Sequence, residues 1–270
     1  MSGSRPLPAR LAVLLLPLTV VVAGCQLVTG PKAEFTLEPG TGADEATLAE
    51  AARIIEGRMA AADVKGGSAD VDGGAVVVRV PEGRLNGELT ALLTVPGRLE
   101  LRPVRERADA GETRRPFSAV ECSSPIPVPP DAEGVVCMAG PGAADGDKLL
   151  VGPVAVDNVG IDKAEVVILE YDPNARAVVL TLDRAGGRAF AELTGRLACE
   201  PPGSPRREVA IVLDGVVINN PPVAEDVACG IGIVGGQVQV NALEELEATR
   251  LAALAANGPL PVVLRPRPVK

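Results

Sequence analysis

The sequence predicts an α+β fold, and three observations carry that prediction. Strand-like and helix-like patterns alternate over the first hundred residues, two β-branched runs flank an Asp-Gly pair at 214–215, and a well-bounded helix near the C-terminus leads into a last short apolar run. With 270 residues and 47% hydrophobic content, the chain can bury a sizeable core.

The first thirty residues read as a targeting segment outside that core. Arg5 and Arg10 form a positive region, LAVLLLPLTVVVAG (Leu11 to Gly24) is an apolar run, and Cys25 follows at once. Such a run is too short to span a bilayer, which takes about 20 apolar residues. VVAGC resembles the lipobox of bacterial lipoproteins. Residues 1–24 are therefore expected to be a lipoprotein signal peptide, Cys25 the lipidated first residue and 25–32 a tether. Several acyl chains, palmitate among them, would hold the protein on the extracytoplasmic face of the cell membrane. A plain signal peptide with a coincidental Cys is the alternative.

Along the rest of the chain, AEFTLEP is strand-like, and Asp44 is placed to cap a helix in which Leu48, Ala52, Ile55 and Met59 recur at helical spacing. DVDGGAVVVRVP reads as a strand, LNGELTALLTV as a short helix and GRLELRPV as another strand. Residues 105–150 change character, because PIPVPPD and GPGAADGD mark an exposed excursion. VGPVAV, AEVVILEY and ARAVVLTLD follow as β-rich runs, with a turn expected at Asp172–Ala175. Asp183 can cap a helix with Phe190, Leu193 and Leu197 on one face, although Gly186 and Gly187 weaken it. In REVAIVLDGVVINNPPV, Asp214 and Gly215 suit a two-residue turn needing positive φ twice, and Pro221 and Pro222 end the second strand. Asn241 with Glu244 suggests a capping-box start for the last helix, Leu243, Leu246, Arg250 and Leu254 follow its period, and Gly258 with Pro259 stops it. PLPVVLRP supplies a closing strand.

Composition excludes several chemistries. The chain has no His, so Ser/His/Asp and Cys/His machinery, an HExxH metal site and an imidazole switch are all absent. Its four aromatics, Phe35, Phe117, Tyr171 and Phe190, are too scattered for a nucleic-acid stacking platform, and a net charge of -9 would repel a phosphate backbone. Beyond Cys25 four cysteines remain, Cys122, Cys137, Cys199 and Cys229, which in an exported chain suggests two disulfides. Of three pairings, Cys122 with Cys137, flanking SSPIPVPPDAEG, and Cys199 with Cys229 are favoured; free buried thiols are the alternative. No CxxC pair exists to complete a tetrahedral metal site. GIGIVGG contains GxGxxG at Gly230, Gly232 and Gly235, but no strand precedes it and the following QVQV is strand-like, so a glycine turn suffices. Asp131, Asp145 and Asp147 lack calcium-loop spacing and read as solvated surface.

The elements AARIIEGRMAAADV, VVVRVPEG, LLTVPGRLELRPV, RAFAELTGRL, AIVLDGVVINNPPV, GIGIVGG and LAALAANGPLPVVLRP occur in an order that resembles the first periplasmic domain of the SecD-type protein-export family, over about 44–264. That resemblance implies a ferredoxin-like base with an inserted α+β head: the base at 33–104 and 259–268, the head at 105–258, with its Pro/Gly-rich, disulfide-pinned excursion at 105–150. Family members continue into six membrane helices that serve proton-driven export; this chain reaches Lys270 before any, so transport itself is not expected to carry over. The resemblance supplies no catalytic residue and no cofactor.

The expected function is that of a lipid-anchored, non-catalytic binding protein for exported unfolded polypeptides or translocase components, with no nucleic-acid partner. Asn219, Asn220, Pro221, Pro222 and Val223, beyond the hairpin, are the candidate polypeptide contacts; a plain strand terminus is the competing reading. A hinge is expected near 104 and 259. Two alternatives stand: an envelope hydrolase using paired carboxylates such as Asp214 or Asp226, and a lipoprotein binding a small ligand in a deep apolar pocket.

Overall fold

The computed structural model describes residues 32–267 other than 110, 140–143, 145 and 171. The signal peptide at 1–24, Cys25, nearly all of the tether, Tyr171 and Asp145 lie outside the described residues. No helix among those described is long and apolar enough to cross a membrane.

The chain opens with β1 (Lys32–Pro39) and α1 (Glu45–Ala61). Asp44 caps this helix, its carboxylate accepting from Thr47 N at 2.8 Å, and Leu48, Ala51, Ile55 and Met59 turn its apolar stripe inward. There follow β2 (Ser68–Asp72), β3 (Ala75–Pro81) and α2 (Gly87–Thr94), the last capped by Asn86. Next come β4 (Leu99–Ala108), β5 (Gly134–Met138), β6 (Lys148–Val151), β7 (Val156–Asp157), β8 (Ile161–Leu169) and β9 (Asp172–Leu182). The chain then forms α3 (Arg184–Leu197), β10 (Val209–Leu213), β11 (Val216–Asn219), β12 (Gln237–Leu243), α4 (Glu245–Asn257) and β13 (Leu264–Pro266).

Three sheets result. The first is antiparallel in the order β13-β1-β3-β2, and α1, α2 and one side of α4 cover it through Leu48, Ile55, Leu93, Ala253 and Leu254. In the second, pairings run β10-β11-β5-β6-β4 and β4 pairs again with β10, so five strands close into a small ring around Val104, Val136, Leu149, Ala210, Val212 and Val217; β7 adds to β4 outside it. A third, antiparallel sheet in the order β12-β9-β8 packs one face on α3, the other side of α4, and the outward faces of β4 and β10, burying Val178, Leu180, Phe190, Leu193 and Ile211.

Several expectations are corrected. β4, assigned by sequence to the base, pairs with β6, β7 and β10, so the chain leaves the first sheet at 95–98 rather than near 104. The 105–150 stretch is not wholly an exposed excursion: GVVCM and KLLV become β5 and β6, and Phe117 is fully buried. Asp172–Ala175 lies within β9, where Asp172 pairs with Leu169 and Arg176 with Ile168 across a register shift. Asn241 belongs to β12; the helix cap is Glu244, in a capping box with Glu247.

Candidate polypeptide-binding edge

Asp214 and Gly215 adopt φ of 51° and 84°, the turn that joins β10 to β11. Asp214 also has a second role that its turn position hides. Its carboxylate accepts from Gly97 N at 3.0 Å and Arg98 N at 2.8 Å, tying the hairpin to the first crossing out of the first sheet. A carboxylate so committed is a structural clamp rather than one half of a hydrolytic pair. The carboxylates held below the usual range, Asp44 and Glu50, serve a helix cap and an exposed pair with Arg53, respectively. Two concavities, of about 600 and 420 Å³, are open grooves meeting at Glu247 and Arg250 on α4.

The segment singled out by sequence, Asn219–Val223, is consumed by internal bonds. Val209 N donates to Pro221 O, Val223 N to Arg207 O, and the Asn220 side-chain amide to Glu208 Oε2 at 2.6 Å. Asn219 Nδ2 reaches Asn241 O at 3.5 Å, and Val223 is buried in the core of the third sheet. Pro222 alone among the five is exposed. Strand addition requires unpaired backbone groups, which this segment has already spent on β10 and Arg207.

The third sheet offers what that segment lacks. β8 pairs only with β9, so among the described strands its other edge is open over nine residues. On its core-side face, opposite Val178 and Arg176 of β9, Val166 is 40% exposed and Ile168 63% exposed. Apolar side chains beside open backbone groups suit an extended, apolar segment. Lys163 and Glu165, paired at 2.7 Å, alternate onto the solvent face and discourage indiscriminate pairing.

Three arginines missed by sequence reasoning hold this frame together. Arg58 donates to Leu92 O, Val95 O, Pro96 O and Gly258 O, clamping from α1 both crossings between the first sheet and the rest. Burial pushes its guanidinium down to about 10, Asp214 opposing and Arg250 reinforcing that shift, so it stays charged at neutral pH and its bonds are charge-assisted. Arg102, fully buried, pairs with Glu100 at 2.8 Å and donates to carbonyls of Val128, Pro129, Ala132 and Gly152. Arg207 holds Ala198, Glu200, Val223 and Ala224. The signal for Arg58 was present: it falls on the apolar stripe, four residues after Ile54 and three after Ile55.

Both disulfides staple irregular chain to regular elements. Cys122–Cys137 joins the Pro-rich stretch to the C-terminal end of β5, and Cys199–Cys229 joins the end of α3 to the glycine loop before β12.

Residues 138–262 match the family model described as the SecDF P1 head subdomain. Protein translocase subunit SecD of Streptomyces coelicolor is 29% identical over 137 residues, half of this chain and 22% of that protein. SecD of Rhodobacter capsulatus is 27% identical over 283 residues, covering 89% of this chain and 47% of that protein. The chain thus spans less than half the length of these relatives. Among solved structures, SecDF in a super-membrane-facing form superposes with a TM-score of 0.59 at 22% identity, over 86% of this chain and 29% of that one. A SecDF structure described as a membrane component that enhances protein export gives 0.57 at 21% identity, over 88% of this chain and 99% of that one. With a head subdomain matched over 138–262, SecD relatives aligned beyond it and the same fold in SecDF, the chain is similar to the SecD-type protein-export family in the region of its first periplasmic domain.

Proposed function

We propose that this protein is a lipid-anchored, extracytoplasmic, non-catalytic partner of protein export that holds exported polypeptides by strand addition to β8. The observation that carries this reading is the open β8 edge, with Val166 and Ile168 exposed beside it, inside a matched head subdomain. The anchor rests on VVAGC at 21–25. We read the β13-β1-β3-β2 sheet with α1 and α2 as a ferredoxin-like base formed by about 32–95 and 258–267, and about 97–257 as the head. Work on a client in this reading comes from differential binding between states.

Hydrogen exchange of the full chain with and without a reduced, unfolded secreted polypeptide tests the edge. The reading expects slowed exchange of β8 amides, with 219–223 unchanged, and loss of the effect in Val166→Lys/Ile168→Lys. Protection confined to 219–223, or to the grooves beside α4, would overturn it.

A further inference from the structure

β8 joins β9 in a regular ladder only from Lys163 to Ile168, between register shifts at Ile161/Lys163 and Ile168/Leu169. An added strand can follow it over that stretch, at about 3.3 Å per residue. Ala164, Val166 and Ile168 turn one face of the stretch toward the core side, where Val166 and Ile168 stay exposed; Lys163, Glu165 and Val167 alternate onto the other. An added strand therefore meets apolar side chains on one face and charge on the other.

The charge of this sheet's open margin sits on β8 itself. Ala177–Leu182 of β9 and Gln237–Val240 of β12 contain no ionisable side chain, whereas β8 and the residue after it carry Asp162, Glu165 and Glu170 against Lys163 alone, all four exposed. Neighbouring charges do not offset this excess. Arg176, opposite Ile168, is largely buried, donates to Pro173 O at 2.7 Å and pairs with Glu245 at 3.6 Å. Glu244 and Glu247 at the start of α4 are acidic too, and at the Ile161 end Asp183 and Arg184 follow Leu182 as one acid and one base. The Lys163–Glu165 contact, with both side chains more than half exposed, is screened by water and weak enough for an incoming cation to replace Lys163.

We propose that the β8 edge selects extended client segments in which apolar and basic side chains alternate. Apolar side chains of the client lie beside Val166 and Ile168, and Lys or Arg on its other face meets Glu165, with Asp162 and Glu170 beyond the two ends. Opposite charges directly across a strand pair attract and like charges repel, so an acidic segment of the same apolar pattern is rejected. The same excess of acid disfavours pairing of two copies of this chain through β8. This selection rests on the reading of β8 as the client edge: the open strand is the site, and its carboxylates choose among the segments able to add to it.

The test uses the full chain and three short peptides with Val or Ile at alternate positions and Lys, Ser or Glu between them. Expected is affinity in the order Lys, Ser, Glu, with Lys over Glu by about tenfold, a preference that shrinks as salt rises, and slowed amide exchange at 161–170. Asp162→Lys/Glu165→Lys should reverse the order, whereas an equal charge change beside the first sheet, Asp72→Lys/Glu82→Lys, should leave it intact. Equal affinities with exchange still slowed at 161–170 would overturn the selection and leave β8 as the client edge; slowing only elsewhere would remove both. Loss of the preference in both variants alike would mark general attraction to an acidic chain and overturn the proposal. Protection of β8 that grows with protein concentration without peptide would do the same, with a second copy as the occupant.

Discussion

Arg58, Arg102 and Arg207 each donate to four backbone carbonyls, most of them in turns and irregular chain. Proline donates no hydrogen bond, and 25 prolines in this chain create carbonyls in need of a donor; a guanidinium supplies five in a fixed fork. Arg58→Met should destabilise by about 3 kcal/mol or more, since buried carbonyls at both crossings lose a charge-assisted donor. Arg58→Lys should recover little, because three donors on a flexible stem cannot reach four carbonyls. Urea unfolding measures both, and a loss under about 1 kcal/mol would show that water replaces the guanidinium. At this scale sequence was partly legible: Asp44, Asp183 and the Asp214-Gly215 turn follow from local chemistry, but the second bond set of Asp214 reaches Gly97 and Arg98, 116 residues or more away, and no local pattern records it.

Elements with a strong period or fixed turn chemistry could be read from sequence, and those decided by pairing could not. α1 and α3 show their stripes, and the β10–β11 hairpin its Asp-Gly turn. By contrast, β5 and β6 are runs of five and four residues in a Pro/Gly-rich stretch, where composition masks a strand made by its neighbours. Likewise β9 takes in Asp172–Ala175, Asp172 pairing with Leu169 and Arg176 with Ile168, and the turn chemistry of Pro173–Ala175 is spent on the register shift between those pairs. The loop beside α3 gives two tests at this scale. Cys199→Ser/Cys229→Ser should cost about 3 to 4 kcal/mol on the chain-entropy account of a 30-residue closure and speed amide exchange at 228–236; unchanged melting would contradict it. Gly232→Ala should destabilise more than Gly235→Ala, since both glycines have positive φ but only Gly232 meets backbone within 4 Å; calorimetric melting ranks them.

Across the whole molecule, two chain crossings join a four-stranded sheet to a ring and a third sheet, and both crossings are clamped by Arg58 while α4 packs on both sides. The sequence pattern conveyed the order of these parts but placed β4 on the wrong side of the first crossing. β4 follows α2 as a base strand would, yet Leu99 and Leu101 bury against α3 and β9 instead. The same assembly leaves β8 at a sheet margin, a property of topology that no stretch of residues displays. The central claim is that this margin receives exported polypeptide, and site-specific photo-crosslinking in secreting cells tests it most directly. With the crosslinker at position 168 of the full chain, the account predicts adducts with secreted proteins in transit, which vanish when export is blocked, and none from position 223, buried in the core. Absence of adducts from 168 while export proceeds, or equal adducts from exposed Val263 beside the first sheet, would contradict it.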